Sequence, residues 1–318
     1  MILIMQRLRL YVFIFSFMFF ALQSAFAQEG RKIRVGSGSL LEGYYSIGLK
    51  LCRYISKANN GIPCEVVPTK GSLENLWLLQ RGKIDFAFTL SNLAIDSYEG
   101  KGYFATTEPF KNMSQVLKLH SEIFTVIVKD DDNILVFSDL DGKKISNGSP
   151  KSDSSVIYNA LEAYYDFKKP PTDIELAYED YAHEFCVGNV DAIMIMAGHP
   201  SALVNFITHA CESDFVTIDS SKVNQLLKSN PGFHKAILPE GGYPGITKDQ
   251  DTIGVNAILV TADHVDKKIT QNFLDLFPSV VDRFKSSHPA LYDIDAEDFR
   301  KNFVLPAFLA ENVDNKEE

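Results

Sequence analysis

The chain has 318 residues, 46% of them hydrophobic and 23% charged, with a formal net charge of −10. That composition excludes global disorder, and the length leaves room for two domains. The acidic balance argues against nucleic-acid binding, which rests on neutralising phosphates with Lys and Arg.

The N-terminus departs from this average. Arg7 and Arg9 precede an apolar run over residues 10–22, and Ala25-Phe26-Ala27 supplies the small residues a signal peptidase needs. Residues 1–27 are predicted to be a secretory signal peptide cleaved before Gln28, which places the mature protein in the periplasm. The rival, an uncleaved membrane anchor, accounts less well for the A-x-A pattern. Losing Arg7 and Arg9 takes the net charge from −10 to −12. Any anionic ligand would then have to be held by local dipoles rather than bulk charge.

Cys52, Cys64, Cys186 and Cys211 all lie in the mature part. An even count in an exported chain points to disulfides. Pairing Cys52 with Cys64 and Cys186 with Cys211 closes two short loops, whereas crossed pairings need distant segments to meet. Zinc is the rival, but neither spacing resembles a ligand pair.

Residues 32–35 alternate as a short strand ending in Gly36-Ser37-Gly38-Ser39, and helical periodicity follows from Tyr44 through Ile47, Leu51 and Ile55. A dinucleotide fingerprint would need glycine at Leu41. The richest stretch is 69–94. A polar turn, Thr69-Lys70-Gly71-Ser72, follows the strand-like run 64–68, and Leu73, Leu76, Trp77 and Leu79 fall at helical spacing. Ser72 reads as the N-cap and Glu74 complements the helix dipole. Gly82 ends that helix, and residues 84–90 resume as a strand closed by Ser91-Asn92.

Residues 116–128 carry strand signals and can link two domains. Lys144-Ile145 is a strand, and Gly148-Ser149-Pro150-Lys151-Ser152-Asp153-Ser154-Ser155 opens a helix over 156–165. No P-loop pattern is present. Residues 178–187 read as a helix and 191–197 as a buried strand ending at Gly198-His199-Pro200. His199 has no recognisable nucleophile elbow beside it and reads as a turn-capping histidine. The loop 238–245 is built of turn formers around Tyr243. Residues 252–261 alternate as a strand returning to the first domain. Helices over 267–285 and 296–310 finish the chain before an acidic tail, 311–318.

Taken together these motifs resemble a known family over nearly the whole mature sequence: the TAXI-type solute-binding proteins of tripartite ATP-independent periplasmic (TRAP) transporters. The resemblance is carried by Gly43-Tyr44-Tyr45 with Gly48, Thr69-x-Gly71-Ser72 with Glu74-Asn75, and Gly82-x-x-Asp85-Phe86. Further on it is carried by Gly148-x-Pro150-x-Ser152, Gly198-His199-Pro200, Tyr243-Pro244-Gly245, Leu259-Val260-Thr261 and the four cysteine placements. It implies an α/β, two-lobed, type II-like periplasmic-binding-protein fold, with a ligand cleft between lobes joined by crossing strands. The expected division is 28–122 plus 257–318 for lobe I and 123–256 for lobe II. It further implies delivery of a glutamate-like acid or related carboxylate to TRAP permease subunits, by a monomer without cofactor, metal or enzymatic activity.

Two motifs depart from the family pattern. Leu90-Ser91-Asn92 stands where Gln-Ser-Asp is frequent, and Lys151-Ser152-Asp153-Ser154-Ser155 where Gly-Ser-Gly-Thr-Arg is frequent. The missing arginine loosens the carry-over of glutamate, because a lysine at 151 is not bidentate. The expected ligand set is the loop around Gly38, the hydroxyls of Ser72, Ser91, Ser152, Ser154 and Ser155, the amide of Asn92, and Tyr44 and Tyr243 covering the apolar part. A ligand sensor, or an enzyme on the same scaffold, stays open as an alternative. Neighbouring permease genes would separate transport from sensing, and a nucleophile–base pair in the cleft would mark an enzyme.

Overall fold

The computed structural model describes residues 31–130 and 133–309. The expected signal peptide, its cleavage site at Gln28 and the tail 311–318 lie outside the described residues. No described helix is long and apolar enough to cross a membrane.

The first half is built from β1 (Ile33–Gly36), α1 (Gly43–Ala58), β2 (Cys64–Val67), α2 (Ser72–Gln80), β3 (Phe86–Leu90) and α3 (Ser91–Glu99). The long strand β4 (Met113–Lys129) then leads to β5 (Lys144–Ser146), α4 (Asp153–Glu162), β6 (Thr172–Asp173) and α5 (Tyr181–Cys186). Next come β7 (Ala192–Gly198), α6 (Ala202–Ala210), β8 (Ser213–Phe215), α7 (Ser220–Ser229) and β9 (Phe233–Leu238). The second long strand, β10 (Gln250–Ala262), and the helix α8 (Lys267–Lys285) follow.

All ten strands join one mixed sheet in the order β2-β1-β3-β10-β4-β7-β5-β6, with β8 beside β4 and β9 beside β10. The two long strands carry the chain between the two lobes. β10 pairs with β9 from Gln250 to Val255 and with β3 from Ala257 to Thr261. β4 pairs with β10 up to Ile123 and with β7 from Glu122 to Val128. The fold is thus two α/β lobes on a shared sheet, as expected.

Helices cover both faces, which is why β3 is fully buried and the middle of β7 is apolar without interruption. Successive side chains of a strand point to opposite faces. Phe86 and Phe88 of β3, with Ala257 and Leu259 of β10, pack under α1 and α8 through Ile47, Leu51, Phe273 and Phe277. Ala87, Ile258 and Val260 face the other way, into the core that α2 and α3 share with Leu73, Leu76 and Leu93. In the second lobe Ile193 and Ile195 of β7 meet Tyr181, Phe185, Val204 and Ile207, while Met194 and Met196 meet Val156 and Ile157 on the opposite face.

Three expectations are corrected. Ser72 is the first residue of α2, and Gly71 is its N-cap. Ser91-Asn92 does not merely close β3: it opens α3, which the polar pair and the short apolar pattern concealed. The helix expected over 296–310 is a single 3-10 turn, Asp298–Arg300, after which Val304 and Leu305 donate their amides to the Gln115 Oε1 and Phe308 donates to the Gln115 carbonyl. Pro306 breaks any helix there. Arg300 anchors the segment by donating to the Val116 carbonyl.

Both expected disulfides are present, Cys52–Cys64 and Cys186–Cys211, spanning 12 and 25 residues. Cross-links over loops of this length restrict the unfolded chain and contribute about 2–3 kcal/mol. The double variant Cys52→Ser/Cys64→Ser should therefore unfold in urea at a lower midpoint. An unchanged midpoint would contradict the assigned contribution.

Candidate functional site

Ligands of open α/β sheets bind beyond the carboxyl ends of the strands. Here the loop after β1, the start of α2, the start of α4 and the turn from β7 into α6 meet at that side. A cavity of about 190 Å³ on that side is walled by Glu42, Tyr44, Glu122, Asp153, Met196 and Ser201 among others. A second space of about 260 Å³, reached past Leu40, Glu42 and Tyr178, is lined by Thr69, Lys70, Ser149, Ser152 and Glu179.

Helix N-termini leave amides unpaired and favour anions. In the loop after β1 and in the turn 69–72 the chain meets such amides with its own carboxylates. Ser39 donates its amide to the Glu42 Oε2 at 2.6 Å. Lys70 donates its amide to the Glu74 Oε2 at 2.8 Å. Ser72 donates its amide to the Asp153 Oδ1 and its hydroxyl to the Asp153 Oδ2, both at 2.9 Å. Gly71 makes this last contact possible: its φ is +113°, and an added Cβ would stand 3.0 Å from the Asp153 Oδ1. Asp153 begins α4, so the bond ties α2 of one lobe to α4 of the other.

The expected ligand residues divide accordingly. Tyr44 lies on the cavity wall, 4% exposed and stacked on Phe88, and its hydroxyl makes no well-formed hydrogen bond. The Ser72 hydroxyl beside it is spoken for on both sides, donating to Asp153 and accepting from the Leu90 amide. Ser152 lines the second space but caps α4 by accepting from the Ser155 amide, and donates to the Asn147 carbonyl. Ser154 is paired with the Tyr178 hydroxyl and accepts from the Met196 amide. Ser155 is buried in the first turn of α4. Gly38 faces the Glu42 carboxylate, which occupies the space beside it.

Ser91 and Asn92 stand apart from both spaces, at a contact between lobes. Ser91 donates to the Gly232 carbonyl, and a Cβ on Gly232 would run into the Asn92 backbone. Tyr243 sits behind the wall: its hydroxyl accepts from the Ser201 amide and pairs with the His199 Nδ1 at 2.7 Å. His199 also pairs with Thr125, which fits its reading as a structural histidine. Lys151 is exposed, its Nζ lying 5.1 Å from the Trp77 ring centre.

Sequence reading passed over the acids of the cavity. Glu42 sat beside the Gly43-Tyr44-Tyr45 motif, Glu122 lay inside an expected strand, and Asp153 was placed in the polar loop before the helix expected over 156–165. The start of α6, where Ser201 caps by accepting from the Val204 amide, was also missed. Its signal was present as Ser201 before an apolar run.

Burial raises the Glu42 carboxyl well above its usual range, and Asp153 adds to the rise. Burial likewise pushes Asp153 up to about 7, with the Ser72 hydrogen bonds opposing and Glu122 adding. Burial holds His199 and His288 down at about 4, so both imidazoles are neutral near pH 7. His288 stacks on His120, whose Nε2 meets the Glu122 Oε1 at 2.7 Å.

The profile of the NMT1-like family matches residues 35–308. The chain belongs to the NMT1-like family. Its fold is similar to that of an L-cystine ABC transporter protein from Listeria monocytogenes, with 14% identity, a TM-score of 0.50, and coverage of 83% of this chain and 97% of the other. It is also similar to a Xanthomonas citri protein solved with ATP bound, at 12% identity and a TM-score of 0.52, covering 85% of this NMT1-like chain and 93% of that one.

The raised Asp153 value has a consequence with a definite sign. An unfolded aspartate titrates near ~4. The stability Asp153 contributes is therefore full below that pH and is lost as pH rises through about 7. Glu42 acts in the same direction. The melting temperature of the ligand-free protein should fall between about pH 5 and pH 7.5, and Asp153→Asn should flatten part of that decline. An equal slope in the variant would show that Asp153 does not carry it.

Proposed function

We propose that the chain is an extracytoplasmic solute-binding protein that captures a small carboxylate-bearing solute, a glutamate-like amino acid or related organic acid, and delivers it to a TRAP-type permease, as a TAXI-type member of its family. The observation that carries this reading is a cavity between two lobes that share two long strands. A cavity of roughly 150 Å³ takes benzene, so one of about 190 Å³ takes a molecule of amino-acid size. Ala202 and Leu203, the first residues of α6, line it. First-turn amides have no intrahelical partner, so they suit the solute's carboxylate.

In this reading the protein acts in the periplasm as a monomer after cleavage before Gln28, binds no nucleic acid and catalyses no reaction. The lobes are 28–122 plus 257–318 and 123–256, and they open to admit the solute. Mass spectrometry of denatured protein from its own cell envelope should release one small solute, and the purified solute should reduce the radius of gyration in solution scattering. An unchanged radius with proven binding would replace lobe closure by a preformed pocket. Transport in vesicles carrying the permease subunits should depend on the protein. Binding without any such dependence would favour a sensor.

A further inference from the structure

Three carboxylates face the 190 Å³ cavity, and no lysine or arginine lines it. They come from three elements: Glu42 from the loop before α1, Glu122 from β4 and Asp153 from α4. Glu122 and Asp153 are 6% and 5% exposed. Buried acids are ordinarily paired with a cation. Glu42 and Asp153 have only amide and hydroxyl partners, Ser39 for Glu42 and Ser72 for Asp153, while Glu122 meets the His120 Nε2 at 2.7 Å. Lys70 belongs to the second space, beyond Glu42 and Tyr178, where Glu179 accompanies it.

An independent observation points to the same place. The Tyr44 hydroxyl is buried on this wall and makes no well-formed hydrogen bond; the Ser72 hydroxyl lies near it as a weak partner, and Glu122, Asp153 and Glu42 all act on it electrostatically. A buried hydroxyl without a good partner is costly, and such groups ask for an explanation. Among the described residues no three His, Cys, Asp or Glu side chains come close enough to hold a metal ion. The acids are spread around the wall, as suits a donor group with several N–H bonds pointing different ways. Leu40, Ile195, Ala197 and Leu203 supply an apolar side for an aliphatic stem.

We propose that this cavity selects a solute bearing an alkylammonium group, whose N–H bonds are donated to the carboxylates of Glu42 and Asp153 and to the Tyr44 phenol oxygen. This rests on the solute-binding reading and narrows it, because the solute has a net charge of zero or above. The upward shifts agree: burial causes both, Asp153 adds to that of Glu42 and Glu122 to that of Asp153, and a cation beside these acids offsets that repulsion.

Isothermal titration calorimetry at pH 7.5 with L-lysine, L-glutamine, L-glutamate, glutarate and 1,5-diaminopentane tests it. L-lysine should bind at least about tenfold more tightly than L-glutamate, and glutarate should give no heat. L-glutamate or glutarate binding as tightly as L-lysine overturns the ammonium assignment while leaving solute capture intact. Binding of the diamine but not of L-lysine supports the ammonium and removes the carboxylate from the proposed function. Silence from all five overturns the assignment, and the solute released from native protein then decides the broader reading separately. Glu42→Gln and Asp153→Asn should each weaken L-lysine by about tenfold or more while melting cooperatively. Unchanged L-lysine affinity in both variants overturns the proposal, and if one fails to fold, the other carries the test.

Discussion

The contact between Asp153 and the start of α2 holds the described arrangement together. It consists of two bonds of 2.9 Å from one residue, Ser72, to the two oxygens of one carboxylate. Such charge-assisted bonds are among the stronger ones a protein makes. Their partner residues belong to helices on opposite sides of the long strands, so the contact pulls the lobes together without any solute. It depends on a backbone turn at Gly71 that leaves room for the carboxylate. The second tie, Ser91 to the Gly232 carbonyl, lies at the other α/β junction and is neutral. Burial of Asp153 opposes the first tie, and the balance between hydrogen bonding and desolvation makes it breakable.

Much of the fold was legible because its signals are local. The strand–loop–helix pattern after β1, the period-2 alternation of β10 and the amphipathic run of α8 each follow from residue order alone. The cysteine pairs were legible because short loops are the simplest to close. The site was legible in place but not in content. Reading Ser72 as a cap supposed that a helix start waits for a ligand, whereas residue 153, 81 positions away, supplies the anion. No local pattern announces a partner at that separation. Ser154 and Tyr243 were singled out for the same reason: a hydroxyl in a loop advertises hydrogen bonding but not its direction. Ser154 supports β7 through the Met196 amide, and Tyr243 supports the turn into α6 through the Ser201 amide.

The histidines beside the cavity give one of its buried acids a partner. His120 faces Glu122 and stacks on His288, 5.7 Å between ring centres. Burial keeps His288 neutral, and no lysine or arginine lines the cavity. The acids therefore remain the dominant electrostatic feature of the cavity, and solvent does little to screen them at this depth.

The clasp of residues 304–308 on Gln115 has a further consequence. Beyond its pairing with β7, β4 has one side unpaired by any strand along its first third. An uncovered strand edge there would invite another copy to add a strand. The Gln115 amide bonds to the Pro306 carbonyl, and its own carbonyl accepts from the Phe308 amide. Those bonds occupy the edge in the manner of a parallel bridge between Gln115 and Ala307. The segment thus guards a sheet margin against intermolecular pairing, and the strands at the two ends of the main order, β2 and β6, are short, 4 and 2 residues.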